Sequence, residues 1–268
     1  MKPKLFLIGI LLSVAAAAFG QGAQPWAKER LEKSPRHGEW VNVKNGDRNI
    51  KCFIVYPEVS KPATAVIVVH EIFGMTDWVR SLADELAEAG YIAIAPDLLS
   101  GMAPGGGGSS EFKSGDDVRE AIFKLTPEGV ASDLNAVAAY LKTLTSVNGK
   151  MAVCGFCWGG GQAFEYACRQ PELKASFVFY GPPPPPDAMQ KIKCPVYGFY
   201  AEKDNRISST LPKAESDMKA AGKTYKPEIY DGAGHGFMRM GDDPAGSAAN
   251  KAARDKAWAR WKDLLGGL

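Results

Sequence analysis

Residues 153–161 read VCGFCWGGG, a stretch that can be divided in two ways with different chemistry. Read as G-x-C-x-G centred on Cys157, it is a nucleophile elbow with sulfur at the position usually held by serine. Read as C-x-x-C, it pairs Cys154 with Cys157 in a thiol–disulfide motif. The first interpretation predicts acyl transfer, and the second predicts disulfide exchange.

The glycines around Cys157 favour the elbow. A tight turn from a strand into a helix crowds the positions two before and two after the nucleophile, and Gly155 and Gly159 occupy them. A helix that begins at Trp158 would also lower the pKa of the thiol, because the positive end of the helix dipole stabilises a thiolate. We therefore predict that Cys157 is a nucleophile and that Cys154, within the apolar run MAVC, is a core residue.

Such a nucleophile needs a base and a group that orients the base, in the chain order nucleophile, acid, histidine. Asp204 lies in the segment EKDNR and His235 in the segment AGHGF, and each segment follows a predicted strand. His235 is the only histidine after Cys157 in the sequence. The order predicts a triad of Cys157, His235 and Asp204, with a surface aspartate and an ordinary loop histidine as the alternative.

The elements that must position these residues alternate along the chain. Asn45 and Gly46 separate two runs of strand character, which predicts a hairpin. The continuous apolar run ATAVIVV at residues 63–69 is typical of a parallel strand covered on both faces. Strands and amphipathic helices then alternate to residue 265. This alternation predicts an α/β fold with a mostly parallel sheet, helices on both faces and an antiparallel edge hairpin near the N-terminus.

Charge limits the class of partner. The 268 residues include 32 Lys and Arg against 30 Asp and Glu, a formal net charge of +2. This balance gives no electrostatic footprint for nucleic acid or an anionic membrane, so we expect a small-molecule partner. The three histidines are widely spaced in the sequence, and no metal or cofactor motif is visible in it. We therefore expect neither a metal nor an organic cofactor.

The first twenty residues have the pattern of a secretory signal peptide. Two lysines precede an apolar run at residues 5–19, which ends in the small residues Ala18 and Gly20. The alternative, an uncleaved membrane anchor, needs roughly 20 apolar residues. We expect residues 1–20 to be removed, and residues 21–268 to form a single domain that is secreted or periplasmic. The mature chain would lose two lysines and no acid, leaving 30 basic and 30 acidic residues.

Two features stay open. The five cysteines are Cys52, Cys154, Cys157, Cys168 and Cys194. Because this number is odd, we expect at least one free thiol after export, while the disulfide state of the others is not decided by the sequence. The Gly-rich segment at residues 101–115 predicts a plain surface loop, with a mobile lid over the site as the alternative.

Four motifs in order carry a family resemblance: VVHEIFG at residues 68–74, GFCWGG at 155–160, EKDNR at 202–206 and AGHGFMR at 233–239. Together they resemble the dienelactone hydrolase (carboxymethylenebutenolidase) family of α/β hydrolases, from about residue 38 to residue 265. The resemblance implies an α/β-hydrolase fold. It also implies a hydrolase of the EC 3.1.1 class that opens a lactone or carboxylic ester.

The resemblance implies roles for the residues at the elbow. Cys157 would be the nucleophile that forms a thioester intermediate, His235 the base and Asp204 the group that orients the base. The backbone N–H groups of Ile72 and Trp158 would form the oxyanion hole, in which one donor is typically worth on the order of 100-fold or more in rate.

The resemblance also implies residues around the substrate. Glu71 would pair with the resting thiol and move away when substrate binds, with an ordinary strand-end charge as the alternative. Founding members of the family hold a substrate carboxylate between two arginines, which match Arg239 and, in a looser register, Arg119; both could instead be solvated side chains. Phe73 and Tyr180 are candidates for contact with a flat acyl group, with core packing as the alternative.

Other functions stay open beside this one. Without the two arginines the enzyme would be a broad-specificity secreted esterase. A non-catalytic small-molecule binder could share the scaffold. A C-x-x-C oxidoreductase is the third alternative, although it leaves Gly159, Asp204 and His235 without a role. We expect a monomer or a small homo-oligomer, and the sequence does not identify the natural substrate.

Overall fold

The structure, a computed structural model, describes residues 24–268, and the predicted signal peptide lies outside this range. Helix α1 (Pro25–Lys33) comes first. Strands β1 (Gly38–Asn45) and β2 (Arg48–Val55) then pair antiparallel along their whole length. The turn between them contains Gly46, whose φ of 58° is a left-handed conformation that glycine adopts readily. The predicted hairpin is therefore confirmed.

Six further strands and nine further helices follow in the described part of the chain. The strands are β3 (Ala63–Val69), β4 (Ile92–Pro96), β5 (Val147–Phe156), β6 (Ala175–Phe179), β7 (Val196–Ala201) and β8 (Tyr225–Tyr230). The helices are α2 (Asp77–Glu88), α3 (Gly115–Phe123), α4 (Pro127–Thr143), α5 (Trp158–Ala167), α6 (Pro186–Met189), α7 (Asn205–Ser208), α8 (Leu211–Ala220), α9 (Phe237–Asp242) and α10 (Ala248–Gly266). A short 3₁₀ turn (Ser109–Glu111) lies in the Gly-rich segment.

The eight strands form one sheet in the order β1-β2-β4-β3-β5-β6-β7-β8. The β1–β2 and β2–β4 pairs are antiparallel, and every pair from β4 to β8 is parallel. This confirms the predicted mostly parallel sheet with an antiparallel N-terminal edge. Since parallel strands end at the same edge of a sheet, the segments after β3, β5, β7 and β8 meet there.

Strand β3 shows why the sheet needs helices on both faces. All seven of its residues are buried, and successive side chains point to opposite sides. Ile67 and Val69 pack in the core that includes α4 and α5, whereas Val66 and Val68 pack in the core that includes α2 and α10. The run of residues 63–69 is therefore continuously apolar because both faces of β3 are covered by helices, as predicted.

The Gly-rich segment at residues 101–115 is hydrogen-bonded through Ser109 to the residue that follows β4. The Asp97 carboxylate accepts hydrogen bonds from Ser109 N, at 2.7 Å, and from Ser109 Oγ, at 2.6 Å. Ser109 Oγ also accepts from the backbone N–H of Met75, at 3.0 Å. The segment thus contacts the turn that leads out of β3, close to the edge where the predicted catalytic residues meet.

Candidate active site

Cys157 occupies the sharp turn between β5 and α5. Its φ of 57° and ψ of −119° form a combination that residues other than glycine rarely adopt, at a cost of roughly 1–3 kcal/mol. A Cβ on Gly155 would overlap the carbonyl oxygen of Gly159, and a Cβ on Gly159 would overlap that of His70. The backbone N–H of Cys157 also donates to Phe179 O at 3.0 Å. The glycine spacing seen in the sequence is therefore required by close backbone packing at the turn.

His235 and Asp204 are in direct contact after β8 and β7. Nδ1 of His235 lies 2.5 Å from Oδ2 of Asp204, whose side chain is buried. Because a carboxylate only accepts hydrogen bonds, Nδ1 carries the proton and Nε2 carries a lone pair. Nε2 is buried and has no hydrogen-bond partner among residues 24–268. The imidazole is thus oriented with a free acceptor, as a general base requires.

The Cys157 thiol has an environment that favours its neutral form. Burial and the negative charge of Glu71 raise its pKa to about 11. The backbone N–H groups of Trp158 and Ile72 act in the opposite direction, as does the charge of Arg206, but they are outweighed. The predicted lowering of the thiol pKa by the N-terminus of α5 is thus present, but the net shift is upward because the loss of solvent around the sulfur dominates.

Glu71 is bound to an arginine. Its carboxylate, 3% exposed, accepts from Arg239 Nε at 2.7 Å, and the Arg239 guanidinium lies over the Phe73 ring at 5.1 Å. Burial raises the pKa of Glu71, while the charge of Arg239 opposes this rise. The expectation that Glu71 pairs with the resting thiol is corrected, because its carboxylate is hydrogen-bonded to Arg239. It acts on Cys157 through its charge.

The two predicted arginines are not brought together. Arg119 lies on α3, is 46% exposed and forms an ion pair with Asp116. Within the described residues, none of its hydrogen bonds or ion pairs reaches Cys157, Glu71 or Arg239.

Arg206 is a site residue that the sequence argument missed. It lies two positions after Asp204 on α7, its side chain is exposed, and its charge lowers the pKa of the Cys157 thiol. No ion-pair partner for it is found in residues 24–268. Its place in the same segment as Asp204 is the signal that could have identified it.

Tyr180 packs beside His235, the predicted base. It follows β6 with a φ of 42° and is fully buried. Its ring centroid lies 5.1 Å from that of His235 and 5.3 Å from that of Phe237. Tyr180 therefore packs against the imidazole from the side of the core.

Cys154, the first cysteine of the C-x-x-C motif, lies in the core. Cys154 is fully buried in β5, and burial raises the pKa of its thiol well above the ordinary value. All five cysteines are free. This position suits a small apolar residue better than a reactive partner for Cys157.

Residues 24–268 contain neither a metal-binding cluster nor a membrane-spanning helix. No group of three or more His, Cys, Asp or Glu in this range could hold a metal ion. None of the helices in the same range has both the length and the apolar character that a membrane span requires.

The matching family model is described as the dienelactone hydrolase family, and it covers residues 50–268. A protein of Methylorubrum extorquens, named as a candidate carboxymethylenebutenolidase, is 30% identical over 269 residues, which are 95% of this chain and 90% of that protein. A protein of Saccharolobus solfataricus with the same name is 33% identical over 248 residues, 81% of this chain and 93% of its own.

The fold is also similar to solved structures. The crystal structure of a candidate dienelactone hydrolase from Klebsiella pneumoniae has a TM-score of 0.76 at 26% identity. The match covers 87% of this chain and 99% of that one. The similarity confirms the predicted α/β-hydrolase fold over nearly the whole length of the solved chain.

Proposed function

Because the chain belongs to the dienelactone hydrolase family, it is a hydrolase of that family, and we propose that Cys157 is its nucleophile toward a lactone or carboxylic ester. The observation that carries this proposal is the 2.5 Å contact between His235 and Asp204, which leaves Nε2 of His235 free to accept a proton. The strained backbone of Cys157, at the carboxyl edge of the sheet, supports the same assignment.

The first half of the reaction forms a thioester. Since the resting thiol is neutral, Nε2 of His235 takes its proton as the sulfur attacks the ester carbonyl carbon. The carbonyl oxygen becomes an oxyanion that accepts from the N–H groups of Ile72 and Trp158. The tetrahedral intermediate then expels the alcohol oxygen, which takes the proton from His235. In a lactone, the alcohol stays attached to the acyl chain.

The second half releases the acid. A water molecule gives a proton to Nε2 of His235 and attacks the thioester carbon, and the second tetrahedral intermediate uses the same two backbone donors. Its collapse breaks the C–S bond, and the proton on His235 returns to the sulfur. The products are a carboxylic acid and the original thiol, so water is the only reactant consumed besides the ester.

A substrate carboxylate would compete with Glu71 for Arg239. When Arg239 turns to the substrate, the buried Glu71 carboxylate loses its hydrogen-bonded partner, which is costly in a site this dry. Glu71 would then move or take up a proton, and the resting arrangement would open only for an anionic substrate. This gives Glu71 and Arg239 a part in substrate selection.

A broad-specificity esterase is the second candidate. The exposed, Asp116-bound position of Arg119 favours it, because a two-arginine clamp cannot form without a movement of α3 or of the Arg119 side chain. Such an enzyme would use the same thioester chemistry with weaker selection for a carboxylate.

The deciding experiment compares p-nitrophenyl acetate with a carboxylate-bearing dienelactone, with reductant present, for wild type, Cys157→Ser and Cys157→Ala. We expect wild type to prefer the dienelactone and both variants to be strongly impaired. An acid-quenched reaction should contain protein whose mass is increased by the acyl group on the peptide that carries Cys157. Equal rates on both esters would favour the esterase, and full activity of Cys157→Ala would reject the proposed nucleophile.

We also propose that residues 1–20 direct export and are then removed. The support is the pattern of two lysines, an apolar run and small residues before position 21. The test is the intact mass of the protein from the periplasm or medium of an expressing bacterium. A mature chain that begins at residue 21 supports export, and a full-length chain in the cytosol rejects it.

A further inference from the structure

His70 directly follows β3 and is fully buried. Nδ1 lies 2.8 Å from the carbonyl oxygen of Glu71, and the backbone N–H of Leu98 donates to Nε2 at 3.3 Å. Both ring nitrogens therefore have a backbone partner. The ring also stacks on Trp158, with centroids 5.6 Å apart and planes inclined by 21°.

These partners determine the tautomer of His70. A backbone N–H can only donate, so Nε2 accepts from Leu98 and the ring proton is on Nδ1. Nδ1–H then donates to the carbonyl oxygen of Glu71. Burial lowers the pKa of His70 and keeps the ring neutral. The facing carboxylate, Asp97, is itself bound by Ser109 and by the N–H of Leu99.

The carbonyl of Glu71 and the N–H of Ile72 belong to one planar peptide group. A hydrogen bond to its oxygen therefore fixes the direction of its N–H, and also polarises that N–H into a stronger donor. The second donor of the same hole is the N–H of Trp158, whose side chain stacks on the His70 ring. His70 thus contacts the peptide group that carries one donor and the side chain of the residue that carries the other.

We propose that His70 is a positioning residue for the oxyanion hole: its Nδ1–H orients and polarises the peptide between Glu71 and Ile72. The inference rests on the proposed function, in which these two N–H groups receive the oxyanion. The competing explanation is a histidine that only fills the core. In that case the turn itself holds the peptide, since Gly74 N also donates to Glu71 O at 3.1 Å.

Two substitutions separate these explanations. In His70→Asn, the amide nitrogen takes the place of Nδ1, so the donor to Glu71 is kept and the acceptor for Leu98 is lost. In His70→Gln, the amide oxygen takes the place of Nε2, so the acceptor is kept and the donor is lost. We expect kcat to fall by roughly 10-fold or more in His70→Gln, with KM changed by less than about twofold. His70→Asn should keep most of kcat while its melting temperature falls, because Leu98 N–H is left without a partner.

A readout without substrate keeps this test apart from the proposed hydrolysis. The rate at which iodoacetamide alkylates Cys157 as a function of pH reports the thiolate, which the N–H of Ile72 also stabilises. His70→Gln should shift this titration to higher pH, and His70→Asn should not. If the shift is found but no ester is hydrolysed, the positioning role stands and the proposed function fails. If both variants lose kcat in proportion to stability with an unchanged titration, His70 only fills the core.

A measurement on the unmodified protein can overturn the proposal even if a variant does not fold. In protein labelled with ¹⁵N-histidine, the two-bond correlations of a neutral ring identify the protonated nitrogen. A proton on Nδ1 of His70 is expected. A proton on Nε2 would overturn the proposal, because Glu71 O could then receive no hydrogen bond from the ring.

Discussion

Arg239 and Glu71 form an ion pair across 168 positions of sequence, in which Arg239 Nε donates to Glu71 Oε2 at 2.7 Å. The carboxylate is almost without solvent, and its charge still acts on the Cys157 thiol. The arginine therefore stabilises Glu71 in place without cancelling its influence on the sulfur. A neutral resting thiol follows from this arrangement.

The Cys157 thiol should lose its proton at an unusually high pH. Its pKa is raised from 9.0 to about 11, so at neutral pH the thiolate fraction should be roughly 100-fold lower than that of an unperturbed cysteine. We expect the rate of alkylation by iodoacetamide to keep rising between pH 9 and pH 11, measured by mass spectrometry of the peptide that carries Cys157. A plateau reached below pH 8 would contradict the assigned environment.

Glu71→Gln should make Cys157 more reactive. The carboxylate is the second-largest cause of the raised thiol pKa, and a glutamine of the same shape removes the charge while its oxygen can still accept from Arg239. The pKa of the thiol should therefore fall, and alkylation at pH 8 should be faster. Glu120→Gln, on the exposed face of α3, is the matched control. Equal rates in all three proteins would show that Glu71 does not control the thiol.

Asp204→Asn should remove most of the catalytic rate with little effect on the fold. The amide can donate to Nδ1, which would place the ring proton on Nε2 and abolish the base. In serine hydrolases the same exchange costs about 10⁴-fold in kcat. We expect a loss on the order of 10² to 10⁴-fold in kcat, together with a normal circular dichroism spectrum. Asp231→Asn, an exposed neighbour of the histidine segment, should retain full activity.

Gly159→Ala should destabilise the elbow. The added Cβ would overlap the backbone carbonyl oxygens of His70 and Val69, which cannot rotate away as a side chain can. Overpacking of this kind typically costs about 1–3 kcal/mol, so a lower melting temperature and a large loss of activity are expected. At Gly161 the nearest atoms are in the Pro182 ring at 3.1 Å, so Gly161→Ala should be much milder. Similar stability of the two variants would argue against the close packing.

Arg206→Gln should weaken selection for anionic esters. A charge near the partly exposed thiol contributes on the order of 1 kcal/mol, so kcat/KM for a carboxylate-bearing ester should fall about fivefold while p-nitrophenyl acetate is little affected. Arg119→Gln is the matched control, because Arg119 is bound to Asp116 on the surface of α3. If instead only Arg119→Gln lowers kcat/KM for the carboxylate-bearing ester, the substrate anion binds near α3.

The sequence predicted the features that depend on local pattern. Asn45 and Gly46 indicated the hairpin, and the apolar run at residues 63–69 indicated a doubly covered strand. Glycines two positions before and two positions after Cys157 indicated the turn. Each of these follows from steric rules that act within a few residues. They were sufficient to predict the fold and the edge of the sheet at which the site lies.

The remaining features depend on packing between distant segments. The direction of the Cys157 pKa shift follows from burial, which no neighbouring residue reveals. The partner of Glu71 lies on α9, far along the chain, and the Gly-rich insertion obscured the register that would have placed Arg119. His70 lay within a recognised motif, yet its contacts with Glu71 and Leu98 depend on the folded turn.

The raised pKa of Cys157 also affects how long its thiol stays reduced between encounters with substrate. Thiolates, rather than thiols, attack peroxides and small disulfides, so a site that holds its sulfur protonated is oxidised slowly. For the exported protein proposed above this protection would matter, because the thioredoxin and glutathione that keep thiols reduced are in the cytosol. The buried Glu71 carboxylate would thus protect the proposed nucleophile from oxidation, and it would also make the resting thiol less reactive toward substrate.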